Sequence, residues 1–125
     1  MKVLIIDDDA IIRHIAALTL RRVSGMDVTE AESGVEGIGK ALALRPDVIL
    51  LDRMMPDMDG VETLAALRAN PATALTPVIF LTASTAPADV ERMMALGATG
   101  VIFKPFDART LSEQISAVLQ RPLDA

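Results

Sequence analysis

The sequence has no cysteine, no tryptophan and no tyrosine, and only three phenylalanines. Without thiols it can form neither a disulfide framework nor a thiolate metal site, and a reducing cytoplasm is the compartment expected for such a chain. The scarcity of rings removes the stacking platforms that hold single-stranded nucleic acids. An excess of positive charge is also missing, since 12 Lys and Arg stand against 17 Asp and Glu for a net charge of −5. Phosphate backbones are gripped by Lys and Arg, so direct nucleic-acid binding is not expected. No apolar run approaches the roughly 20 residues of a membrane span. Met1-Lys2 leads directly into a short strand ended by aspartates, which does not resemble a signal peptide.

What remains is a chain of 125 residues, 51% apolar, enough for one domain with a single core. Residues 1–121 are expected to form that domain and residues 122–125 a C-terminal tail. Strand-like and helix-like stretches alternate five times, the pattern of βαβ units on a parallel sheet. Four short apolar runs end in polar residues: Val3-Leu4-Ile5-Ile6 before Asp7-Asp8-Asp9, Val48-Ile49-Leu50-Leu51 before Asp52, Val78-Ile79-Phe80-Leu81 before Thr82, and Val101-Ile102-Phe103 before Lys104-Pro105. Met26 to Glu30 reads as a half-polar edge strand.

Five helices are expected between and after these runs. Ile11, Ile12, Ile15, Leu18 and Val23 recur at helical spacing until Ser24-Gly25 stops them. Ser33-Gly34-Val35-Glu36 reads as a capping box opening a helix with Val35, Ile38 and Leu42 on one face, ending before Arg45-Pro46. Asp59-Gly60-Val61-Glu62 opens a third in the same way, through Leu64 and Leu67 to Asn70-Pro71. A fourth starts near Pro87 and stops at Gly97, and Asp107 caps a fifth with Leu111, Ile115 and Val118 inward and Pro122 beyond its end.

If the strands are parallel, their polar ends meet at one edge of the sheet, where open α/β folds bind ligands. Asp7, Asp8 and Asp52 would then be neighbours. Two like charges about 4 Å apart repel by about 1 kcal/mol in water and about 4 kcal/mol at an effective dielectric of ~20, so the cluster calls for a cation. Oxygen ligands without Cys or a nearby His select a hard ion, and a site of few carboxylates with open positions suits Mg²⁺. Lys104 adds an ammonium and Thr82 a hydroxyl. A carboxylate nucleophile, Mg²⁺, an ammonium and a hydroxyl together form a phosphoryl-transfer site.

The paired acids after the first strand, the Asp-x-x-Met-Pro-x-Met-Asp-Gly segment from Asp52 to Gly60, Thr82-Ala83, and Lys104-Pro105-Phe106 resemble, in that order and spacing, the receiver domain of bacterial two-component response regulators. The resemblance covers nearly the whole chain. It implies an α/β, flavodoxin-like, doubly wound sheet of five parallel strands in order 2-1-3-4-5 with five helices. It implies that Asp52 accepts a phosphoryl group from a histidine kinase or histidine phosphotransfer protein. It further implies that Asp8, Asp52 and the Met54 carbonyl bind Mg²⁺ directly and Asp7 through water, that Thr82 and Lys104 contact phosphoryl oxygens, and that the Lys104-Pro105 bond is cis. The implied output is a protein contact on the face made by the helix from about Pro87, the strand Thr99 to Phe103 and the helix from Asp107. Two features depart from the family. Val101 stands three residues before the lysine where an aromatic is usual, and Met54 and Ser84 occupy positions that tune dephosphorylation.

Each residue also has a plainer reading. Asp7 to Asp9 can be a helix cap with solvated neighbours, with Asp9 the cap, and Asp52 an Asx-turn residue before Pro56. His14, Glu30 and Glu32 read as surface residues, and Met54, Met55 and Met58 as packing of the loop onto the core. A competing function is an Asp-nucleophile phosphohydrolase, whose motif Asp7-x-Asp9 imitates. That reading makes Asp7 the nucleophile, but the chain is short for it and Ile11 departs from the motif. A flavin or nucleotide module is excluded because aspartates stand where a phosphate loop would be.

Overall fold

The computed structural model describes residues 1–119. Five strands, β1 (Lys2–Ile6), β2 (Asp27–Ala31), β3 (Val48–Asp52), β4 (Val78–Thr82) and β5 (Gly100–Phe103), form one parallel sheet in the order β2-β1-β3-β4-β5. The helices are α1 (Ala10–Ser24), α2 (Gly34–Leu44), α3 (Gly60–Ala69), α4 (Pro87–Ala95) and α5 (Leu111–Leu119). The expected topology, including the edge position of β2, is therefore the observed one. The helix end before Pro122 and the tail at 122–125 lie outside the described residues.

Both faces of the sheet are covered, so the central strands are apolar on every side, as buried parallel strands must be. The period of two sorts them into two cores. Val3, Ile5, Val48, Leu50, Ile79, Leu81 and Ile102 pack with Ala16, Ala17 and Leu20 of α1 and Leu111 and Ile115 of α5. Leu4, Ile6, Ile49, Leu51, Val78 and Phe80 pack on the other face with Ala41, Leu64, Leu67 and Met93.

Two helices differ from the expected pattern. In α1 the inward residues are Arg13, Ala16, Ala17 and Leu20, whereas Ile11, Ile15, Leu18 and Val23 are exposed and only Ile12 is half-buried. In α2 the inward residues are Gly34, Gly37 and Ala41, with Ile38 at the margin of the core and Val35 and Leu42 exposed. The reason is close approach. A Cβ at Gly37 would collide with the Ile6 side chain, so this helix lies on the sheet through its smallest residues and turns its larger apolar ones outward.

The caps behave as local chemistry dictates. Asp9 accepts from the backbone N–H of Ile11 and Ile12, and Gly25, at φ +64°, ends α1 in the left-handed conformation that favours glycine. Ser33 accepts from Glu36 N–H at 3.1 Å, but Glu36 turns to Lys40 at 2.8 Å rather than back to the cap, so that box is half made. Asp59 and Glu62 form the complete reciprocal box at the start of α3. Asp107 caps a 3₁₀ turn, Ala108–Thr110, that continues into α5.

Candidate functional site

β3 and β4 end in polar side chains, and β1 and β5 are each followed by one, all at the carboxyl edge of the sheet. Asp7 follows Ile6 and Asp52 is paired in register beside Leu81, one step beyond the Ile6 and Leu51 pair. Lys104 extends the β5 ladder by donating its N–H to the Thr82 carbonyl at 2.7 Å. Asp7, Asp52 and Lys104 share the alternation of Ile5, Leu50 and Ile102, so all three project on the α1 and α5 side. The Lys104 ammonium consequently reaches both acids, donating to Asp7 Oδ2 and to Asp52 Oδ1 at 3.1 Å each.

Carboxylate oxygens of Asp7, Asp8 and Asp52 lie within 4.8 Å of one another. Asp7 is fully buried and Asp52 is 6% exposed, while Asp8 opens to solvent. Burial raises the Asp52 pKa to about 7, the Asp7 charge adds to the rise, and the charge and hydrogen bond of Lys104 oppose it. Burial alone would lower the Lys104 pKa, but the hydrogen bond and charge of Asp7 and then those of Asp52 outweigh it and the net shift is upward. One ammonium between two buried acids, with a third acid beside them, leaves the cluster net negative. Its all-oxygen donor set and the open side at Asp8 fit a small hard cation.

Thr82 ends β4 and is buried. Its hydroxyl accepts from Ser84 N–H at 3.1 Å, and among the described residues no hydrogen bond joins it to Asp7, Asp52 or Lys104. Ser84 also donates from its hydroxyl to Asp89 of α4 at 2.7 Å, and an Arg53 nitrogen lies 3.9 Å from the same carboxylate. Arg53 Nε is buried without a hydrogen-bond partner among the described residues. Met55 packs into the core as expected, but Met54 is exposed and lies on the rim, its N–H 3.4 Å from Asp52 Oδ1. Val101 is half-buried against the core beneath α4. The Lys104–Pro105 bond is cis.

Two residues outside the expected set also belong to the site. Glu30 is not an ordinary surface acid, because its carboxylate holds Arg13 Nε at 3.1 Å and His14 Nδ1. Arg13, buried in α1, donates to the Asp7 carbonyl at 2.7 Å. A basic residue on the inward stripe of α1 was the available signal, but the larger apolar residues around it drew the helix face elsewhere. A groove of about 600 Å³ opens beside Lys104, lined by Ile12, Ile15, Pro105 and Phe106 among others.

Residues 3–116 match the family profile described as the response regulator receiver domain. The chain is 37% identical over 120 residues to the DNA-binding dual master transcriptional regulator RpaA of Synechocystis, covering 96% of this chain and 49% of that protein. It is 38% identical over 120 residues to the transcriptional regulatory protein ResD of Bacillus subtilis, covering 96% of this chain and 48% of that one. It thus spans about half the length of the curated relatives it matches. Among solved structures, the chemotaxis response regulator CheY4 of Vibrio cholerae superposes with a TM-score of 0.87 at 38% identity, covering 94% of this chain and 97% of that one. A Francisella response regulator receiver domain superposes with a TM-score of 0.85 at 31% identity, covering 96% of this chain and 97% of that one.

Proposed function

This chain belongs to the response regulator receiver domains, and from that premise we propose that it is a phosphoryl-accepting switch in which Asp52 takes the phosphoryl group. The donor is a phosphohistidine of a sensor kinase or phosphotransfer protein. An Asp52 carboxylate oxygen forms the new bond to phosphorus as the P–N bond breaks, and the imidazole nitrogen leaves with the bonding electrons. Hydrolysis of the acyl phosphate returns Asp52 and inorganic phosphate. The chemistry is confined to the domain's own phosphorylation and dephosphorylation, so it is a regulatory unit rather than a separate enzyme.

The observation that carries the reading is the position of Asp52, which alone ends a fully buried central strand while touching Lys104 and lying in the acid cluster. Asp7, Asp8, Asp52 and the Met54 backbone carbonyl would hold Mg²⁺, which supplies positive charge to the acids and to the phosphoryl oxygens. Lys104 then exchanges its bonds to Asp7 and Asp52 for a phosphoryl oxygen. Thr82 releases Ser84 N–H and turns its hydroxyl to another oxygen, which frees the loop from Ala83 to Pro87. With Val101 short and stiff at χ1, the signal leaves as a population shift of that loop and α4 rather than as a ring rotation. The exposed apolar residues Ile11, Ile15 and Leu18 of α1, of which Ile15 lines the groove beside Lys104, favour a protein, not a small molecule, as the physiological donor.

Treatment with acetyl phosphate and Mg²⁺ should add one phosphoryl group to the wild type, read by intact mass, and none to Asp52→Asn. Equal gain in both proteins would refute the assignment.

A further inference from the structure

Arg13 is 7% exposed, and it occupies the inward stripe of α1 with Ala16, Ala17 and Leu20. A guanidinium in that position is costly unless its donors are matched. Its NH1 donates to the backbone carbonyl of Asp7 at 2.7 Å, and its Nε donates to Glu30 Oε1 at 3.1 Å. Glu30 is itself fixed from β2, where His14 Nδ1 meets the same oxygen and Lys40 bonds the Glu30 carbonyl.

The three acids of the cluster are not equally anchored. The Asp7 carboxylate accepts from Asp9 N–H and from Lys104, and that of Asp52 accepts from Lys104 and from Met54 N–H. The Asp8 side chain is exposed and accepts no hydrogen bond from the described residues. The backbone therefore sets the point from which this carboxylate reaches toward the other two. Because a peptide group is planar, holding the Asp7 oxygen fixes the plane between Asp7 and Asp8, and with it the last backbone rotation of Asp7 and the placement of the Asp8 Cα.

We propose that Arg13 is a positioning residue for the cation site: pinned by Glu30, it grips the Asp7 carbonyl and so aims the Asp8 carboxylate at the position where Asp7 and Asp52 converge. The proposal rests on the reading that these acids hold Mg²⁺. Arginine suits the task because its rigid fork holds two acceptors at fixed angles, whereas a lysine ammonium is a point charge on a flexible stem with little angular control.

Groups that orient metal ligands without touching the metal typically change affinity by about tenfold to a hundredfold when removed. Arg13→Met should thus weaken Mg²⁺ binding by about tenfold or more, measured calorimetrically with the metal alone. At saturating Mg²⁺ its rate of Asp52 phosphorylation by acetyl phosphate should return to within about twofold of wild type, because the loss is one of binding rather than of the reacting groups. Arg13→Lys should lose less Mg²⁺ affinity than Arg13→Met, and Glu30→Gln should shift affinity in the same direction. In metal-free protein the Asp8 amide resonance should move in both conservative variants. Wild-type Mg²⁺ affinity in a folded Arg13→Met protein would overturn the proposal, as would a slow rate at saturating Mg²⁺ with affinity unchanged. If Arg13→Met does not fold, wild-type affinity in Arg13→Lys and Glu30→Gln overturns it equally. A wild-type protein that neither binds Mg²⁺ nor is phosphorylated sinks both readings, while one that does both, with Arg13 variants binding Mg²⁺ equally well, sinks only this one.

Discussion

At the scale of single residues, Asp52 is a carboxylate pushed by burial, and then by Asp7, to a pKa of about 7 against an ordinary value of 3.8. Between those two values the folded chain keeps a proton that the unfolded chain has released. Linkage then makes metal-free stability fall as pH rises across that window and level off above it, because the native state binds more protons than the unfolded state there. In EDTA the wild type should melt lower at about pH 8 than at about pH 5, and Asp52→Asn should show a smaller drop. Matching pH slopes for the two proteins would contradict the shift. Carboxylates elsewhere, such as Asp107, whose pKa is held down by its hydrogen bonds to Arg109, titrate alike in both proteins and cancel. Glu30 shows what residue type alone conceals. As a letter it is one of the chain's many acids, and it becomes a structural anchor only because α1 lays Arg13 and His14 against β2.

At the scale of elements, α3 begins under the strictest local constraint in the site. Gly60 donates its N–H to the Arg53 carbonyl at 2.9 Å, and a Cβ there would lie 2.5 Å from the Asp52 carbonyl oxygen and 2.8 Å from the Arg53 Cα. Those neighbours are backbone and cannot rotate away. Gly60→Ala should destabilise the protein by about 1–3 kcal/mol, the usual cost of overpacking, although alanine is the better helix former. A melting temperature equal to wild type would show that the loop after β3 relaxes. The start of α3 was legible because a capping box is written in adjacent letters, Asp59 to Glu62. The inward faces of α1 and α2 were not. Ala16, Ala17, Gly37 and Ala41 carry little hydropathy signal, yet small residues are what allow a helix to lie close to a sheet, and the bulkier Ile11, Ile15 and Val35 stand outside that contact.

At the scale of the whole molecule, the fold gathers three acids at one edge and bears their repulsion unless a cation relieves it. Mg²⁺ binding to the folded state alone should raise the melting temperature with increasing concentration. Asp8→Ala should melt higher than wild type in EDTA, by about 2–4 °C if relief is worth about 0.5–1 kcal/mol, and should lose most of the Mg²⁺ response. Equal Mg²⁺ shifts in the two proteins would remove Asp8 from the cation site. The chain by itself determined the number and order along it of strands and helices and the polar residues that close four of the five strands, because hydrophobic period and caps are local properties of neighbouring letters. Only the tertiary structure decided that Lys104 touches Asp7 and Asp52, partners 97 and 52 residues away. It also decided that Arg13 supports the Asp7 backbone and that Thr82 rests on Ser84 rather than on the acids. Such contacts depend on strand register, on which face each helix crosses, and on how closely it packs, and these are settled only when the two cores close over the sheet.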